Sequence, residues 1–275
     1  MLPLDSAADG FDNIGSVLST SPALVDRYLS AARRISRLAV GDRTIGPAFA
    51  SQTYRAPQAA YQSSRISEDV PFGSRGGLSI THTFPADGTY SFTFTLVRSA
   101  SGELYGNTSI LLAGKNELID VSINGERVAL LEVDKGMGDE SEKGMIVKTP
   151  PIQVRAGAQR ISAVFVPRFA GPVDDLIAPI DQTLIDTRIG TGFGITALPH
   201  LQDMTIAGPM QVTGVSDTPS RRRVFTCRPT TAEERCATQI VQELGTKAYR
   251  GPLTAQDLDE LMRFYQQGRE AGGDF

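Results

Sequence analysis

The sequence predicts a mainly β protein: a central antiparallel β-sandwich of jelly-roll type, flanked by α-helical segments at both ends. Two observations carry this. The spacing of apolar residues changes from a period of about 3.6 to a period of 2 near residue 77, and returns to the helical period after residue 220. Between those points the alternating runs are short and punctuated by Gly-containing turns, and no helical pattern intervenes. Strands with one buried face and no crossover helices pack as two antiparallel sheets, and a jelly roll is the expected version. The chain then reads as a helical module over 1–42, a linker or irregular lead-in over 43–76, the sandwich over 77–220 and a helical hairpin module over 221–275.

Each element has its own signal. Ser21 and Pro22 supply an N-cap and a first helical residue. Leu24, Tyr28, Ala31, Ile35 and Leu38 follow at helical spacing, Arg27, Arg33, Arg34 and Arg37 lie mostly off that stripe, and Gly41 ends the helix. Such a helix cannot bury its stripe alone and needs a partner surface. Leu78, Ile80, His82 and Phe84 alternate with polar residues, as do Tyr90, Phe92, Phe94 and Leu96, and Asp87-Gly88 between them predicts a hairpin. Ile119, Val121 and Ile123 lead to Asn124-Gly125, from which Val128 and Leu130 return. Ile152 and Val154 lead through Ala156-Gly157 to Ile161, Ala163 and Phe165, and Leu201 to Ile206 closes the sheet. Near the end, Thr230 caps a helix carrying Cys236, Ile240, Leu244 and Ala248, and Pro252 breaks it. Thr254 with Asp257 resembles a capping box, and Leu258, Leu261, Met262 and Tyr265 form the last stripe.

Composition excludes several classes. The 275 residues carry a formal net charge of −4, with 21% charged and 40% hydrophobic residues, which is neither a disordered nor a fibrous composition. No apolar run reaches the roughly 18 residues of a membrane span, and mild acidity argues against a general nucleic-acid binder. Two His and two Cys, with no C-x-x-C-H, rule out most His/Cys zinc sites and a c-type haem site. The opening MLPLDSAADGFDNIG has neither the basic nor the apolar region of a signal peptide. Both chain ends read as cuts through something larger, so a fragment of a longer protein is expected.

Few residues carry candidate chemistry. Cys227 and Cys236 are close enough in sequence for a local disulfide, with free buried thiols as the alternative; no further ligand lies near for a metal. The polar, Gly-rich stretch 134–144 carries Asp134, Asp139 and Glu140, and a second long stretch, 167–199, carries Asp174 and Asp175. Long loops in compact domains are functional or disordered, and these carboxylates are the candidate ligands for Ca²⁺, although the EF-hand spacing is missing. Tyr105 and Phe193, in loop-like segments, are the candidate aromatics for stacking on a ligand. RIGTGFG at 188–194 lacks the context of a phosphate-binding loop. Neither His82 nor His200 has a nucleophile context beside it, so no catalytic residue is assigned.

LPLDSAADGFDNIGSVLSTSPALVDRYLSAARRISRLAVGD resembles the short N-terminal module of the planctomycete-type, cytochrome c-associated multidomain proteins of unknown function, and PSRRRVFTCRPTTAEERCATQIVQELGTKAYRGPLTAQDLDELMRFYQQGR resembles another of their modules, in which CRP and AYR-x-P-L-T recur. The VSINGERV strand pair and LPHLQDMTIAGPMQVTGVSDTPSRRR fit the β-rich insert of those proteins. The resemblance implies an exported parent protein, periplasmic or extracellular, whose haem sits in a module missing from this chain. It also supports a disulfide between Cys227 and Cys236, which match the family's CRP…C pattern. It transfers no catalytic residue. The two clear strand pairs also resemble the sandwiches of carbohydrate-binding modules, at the level of fold analogy alone. The expected function is a non-catalytic binding or scaffold region of an exported cytochrome c-linked protein that recognises polysaccharide. The alternatives are part of an oxidoreductase or glycan-active enzyme completed by the missing modules, and a structural spacer. The expected partners are those missing modules and a polysaccharide, with no nucleic acid and no membrane span; no cofactor is expected beyond the candidate Ca²⁺.

Overall fold

The computed structural model describes residues 22–46, 51–56, 65–105, 116–142, 144–166, 198–229 and 231–273. The expected caps at Ser21 and Thr230, the polar start of the chain, and Phe193, Asp174 and Asp175 lie outside them. The chain divides into two compact units: residues 42–216, and residues 1–41 together with 217–275.

The unit of residues 42–216 is an antiparallel β-sandwich. Its strands are β1 (Gln52–Arg55), β2 (Arg75–Phe84), β3 (Asp87–Leu96), β4 (Glu117–Ile123), β5 (Glu126–Val133), β6 (Ile146–Lys148), β7 (Ile152–Val154), β8 (Gly157–Val166) and β9 (Leu201–Gly214). One sheet runs β2-β8-β4-β5; the other runs β1-β9-β3-β6, with β7 also paired to β3. The core lies between the sheets, where Phe84, Phe92, Phe94, Phe165 and Met204 are at most 1% exposed. Each such side chain contributes on the order of 2–3 kcal/mol by leaving water. Tyr90 belongs to the same core, and its hydroxyl donates to Ala86 O at 2.8 Å.

The Asn124-Gly125 hairpin forms as its sequence predicts. Both turn residues have positive φ, 52° and 83°, and β4 pairs with β5. The Asp87-Gly88 pair does something else. β2 and β3 belong to opposite sheets, β2 pairing with β8 and β3 with β9, β6 and β7. Asp87-Gly88 therefore opens β3 after a corner between sheets instead of closing a hairpin. The Asp87 carboxylate accepts from Ala156 N at 2.6 Å, which ties this corner to the β7–β8 corner. A Cβ on Gly88 would lie 2.3 Å from Gln211 O on β9, so the glycine is required by strand approach. The stretch 43–76 contributes β1, unanticipated from its weak periodicity, and β9 runs on to Gly214.

The other unit is helical. α1 (Pro22–Val40) keeps the expected bounds, and Gly41 N donates to Arg37 O at its end. The short α2 (Pro219–Val224), capped by Thr218 Oγ1 accepting from Arg221 N, packs against α1, with the Arg221 guanidinium donating to Val40 O. α3 (Glu233–Tyr249) and α4 (Ala255–Glu270) form the helical hairpin, and the Thr254–Asp257 capping box is present. Cys227 and Cys236 are joined by a disulfide, which fastens the segment before α3 to its first turn. No helix among the described residues is long and apolar enough to cross a membrane.

Candidate binding site

β5 and β6 are edge strands of opposite sheets, so the sandwich is open between them. The chain that joins them, residues 134–144, closes one end of the opening. Met137 and Met145, 6% and 7% exposed, anchor that loop in the core, and Leu104 N and Leu96 N donate to their carbonyls. Polar groups of the loop on either side of Met137 are ordered locally. Asp134 Oδ1 accepts from Gly136 N at 2.8 Å, and Ser141 Oγ donates to Gly138 O at 2.7 Å.

The result is a groove of about 760 Å³. Leu130, Leu131, Ile146 and Val147 supply aliphatic walls, and Glu132, Asp134, Glu142 and Lys148 supply charge. Leu130 and Ile146 are both 47% exposed, so apolar surface faces water on both sides of the opening. Glu132 is oriented by Asn116, whose Nδ2 donates to it at 2.8 Å. An apolar wall bearing a few fixed polar groups is the usual build of a small-molecule or chain-binding site.

A second cluster lies where β2, β4 and β9 begin and β8 ends. Arg75 donates to Glu117 Oε2 and to Pro199 O, at 2.8 and 2.9 Å, and its guanidinium lies 4.4 Å from the centre of the Phe165 ring. His200 is 3% exposed, and burial, with the Arg75 charge as the smaller cause, lowers its pKa to about 4. The Tyr105 ring lies against it, tilted, with centroids 5.0 Å apart. Tyr105 is thus half-buried, and burial raises its pKa. His82, on the apolar face of β2, is hydrogen-bonded through Nδ1 to the Tyr54 hydroxyl at 2.8 Å and packs edge-on against Phe84.

Of the candidate Ca²⁺ ligands, Asp134 lines the groove, Asp139 accepts from Arg98 Nη1 at 2.9 Å, and Glu140 is exposed. These three do not converge: among the described residues no group of three His, Cys, Asp or Glu side chains is placed to hold a metal. A c-type haem has no fit here either, since the two cysteines are bonded to each other. Sequence reasoning missed Phe72, which is 89% exposed with the Arg65 guanidinium 4.3 Å from its ring centre. The signal was a lone aromatic between Pro71 and Gly73, in a segment with no apolar period. It also missed Leu130 and Ile146 as groove walls.

The fold defines a β-sandwich unit with an open groove between two edge strands, in a chain that also carries a helical unit. Two family models match the two ends of the chain. Residues 1–41 match PSD3, a protein of unknown function (DUF1587), and residues 236–275 match PSD5, a protein of unknown function (DUF1595). No curated protein matches the chain. Similar solved structures include the CBM36-1 domain of a multidomain xylanase from the hindgut metagenome of Trinervitermes trinervoides, at 14% identity and a TM-score of 0.28, covering 50% of this chain and 73% of that one. A family 35 carbohydrate binding module from Clostridium thermocellum is 11% identical with a TM-score of 0.26, covering 59% and 95%. A ruminal GH26 endo-β-1,4-mannanase is 13% identical with a TM-score of 0.27, covering 70% and 31%. At such TM-scores none of these resemblances bears on what the groove binds.

Proposed function

We propose that this chain is a non-catalytic binding and scaffold region of an exported, cytochrome c-linked protein, and that its sandwich holds a polysaccharide chain in the groove between β5 and β6. The groove carries the reading. Sugar rings have apolar C–H faces and a rim of hydroxyls; Leu130 and Ile146 suit the former, and Glu132, Asp134 and Glu142 accept from the latter. The non-catalytic part is supported by the two histidines, both buried and packed against aromatic rings away from solvent. The disulfide suits an oxidising, non-cytoplasmic compartment, here the periplasm or the extracellular space. The cytochrome link rests on the resemblance of the two terminal modules; the haem itself belongs to another module.

A glycan array on the oxidised chain, with Ca²⁺ and then with EDTA, tests this. Binding is expected to drop about tenfold in Glu132→Gln, the loss of one charged hydrogen-bond acceptor, and to vanish in Ile146→Asp. Phe72→Ala should leave it unchanged. Loss on EDTA would show that a cation takes part in the binding. A folded chain that binds no glycan, or one whose binding depends on Phe72 alone, sinks the groove assignment.

A further inference from the structure

α1 presents two surfaces. At about 100° per residue, Leu24, Ala31 and Leu38 fall on one strip, and this is the packed side: Ala31 is buried and the two leucines are half-buried. Val25, Tyr28, Leu29 and Ile35 fall within an adjoining arc of about 120°, with Ala32 at its middle. They are 46%, 47%, 52% and 59% exposed. Four large apolar side chains in one arc of one helix are a patch, unlike the single exposed apolar residues that any surface carries. Arg33 and Arg37 border this arc beyond Leu29.

Charge gathers at the same place. α1 and the segment 217–228, which contains α2, hold eight arginines against Asp26 and Asp217, a net of +6 in a chain whose formal net charge is −4. Asp217 is already engaged by Arg222 and Arg228, at 3.4 Å each. An apolar stripe along an arginine-rich helix is the form that lies in a lipid–water interface, its side chains in the acyl boundary and its guanidinium groups among phosphates. The exposed arc lies on the outer side of a single helix. A fluid surface accommodates such a face, whereas a protein partner must bring a matching concavity.

We propose that α1, with the arginines of α2, docks this protein on an anionic lipid surface. Co-sedimentation with vesicles of phosphatidylcholine, alone or with a minority of phosphatidylglycerol, reads this directly. The full, oxidised chain should sediment with the anionic vesicles at low salt, be released by high salt, and ignore the neutral ones. Arg33→Gln with Arg37→Gln should weaken partitioning roughly thirtyfold, and Leu29→Asp should abolish it, with circular dichroism unchanged because all three sites are exposed. The chain has no Trp, so Leu29→Trp supplies a lone indole whose emission should shift to the blue on anionic vesicles. Absence of binding by the folded chain overturns the proposal, as does binding that Leu29→Asp leaves intact. Self-association without lipid that Leu29→Asp disperses would overturn it too, and would make this face a contact between copies.

Discussion

Burial decides the charge of His200. The ring sits at 3% exposure beneath Tyr105, and the Arg75 guanidinium adds a repulsive charge, so its pKa falls from 6.5 to about 4. Arg75 is itself held by Glu117, with both side chains close to nine-tenths buried, and such a pair is costly to break from one side. Because the folded pKa lies below the unfolded one, the unfolded chain takes up the proton first as pH drops. The stability contributed by neutral His200 is complete above pH 6.5, declines between 6.5 and about 4, and is gone below. The full effect is about 3 kcal/mol. Urea unfolding at a series of pH values should show that loss in the native chain, superimposed on the carboxylates. His200→Gln should remove the part that falls between pH 6.5 and 5, where few carboxylates titrate. Equal slopes in the two proteins would show that His200 is reached by water.

At the scale of elements, turn chemistry and strand pairing separate what the sequence could reveal from what it could not. Asn124-Gly125 was legible because a two-residue turn with positive φ is a local demand that few residues meet. Asp87-Gly88 looked the same and was not, because the strands around it find partners far along the chain: His82 faces Gln159, and Phe92 faces Ile206. Alternation marks each strand and its buried face, but not which sheet it joins. The groove suffered for the same reason. The acidic loop 134–144 stood out by composition, yet Leu130 and Ile146 became its neighbours only because β5 and β6 end up as facing edges. β1 was missed because four residues with alternating half-burial carry too little pattern. The corner reading makes a direct prediction. If Gly88 served a turn, Ala would be tolerated or mildly costly there. Since a Cβ meets the β9 backbone at 2.3 Å, Gly88→Ala should instead push β3 from β9 and cost about 2 kcal/mol or more. Thermal unfolding measures it, and a variant as stable as the native chain would refute the close approach.

The whole molecule divides its apolar packing and its charge along the same line. Every member of the aromatic and aliphatic core, from Leu78 to Ile206, lies in the unit of residues 42–216, and so do both walls of the groove. That unit holds fourteen basic and eighteen acidic residues, which is the whole of the chain's net −4; the remaining residues balance, thirteen of each, with the positive ones concentrated on α1 and α2. The proposed glycan groove and the proposed lipid-docking face therefore lie in different units and should separate physically. The fragment 42–216 contains all the partners its strands need and should fold alone, with the far-ultraviolet signature of a β protein. It should bind on the glycan array as the full chain does, since no residue of the groove is lost. It should not sediment with anionic vesicles, because it has lost the arginine-rich helix and keeps an acidic surface. A folded fragment that still binds those vesicles would move the lipid contact onto the sandwich. A folded fragment that loses glycan binding would mean that the groove between β5 and β6 is not the whole of the site.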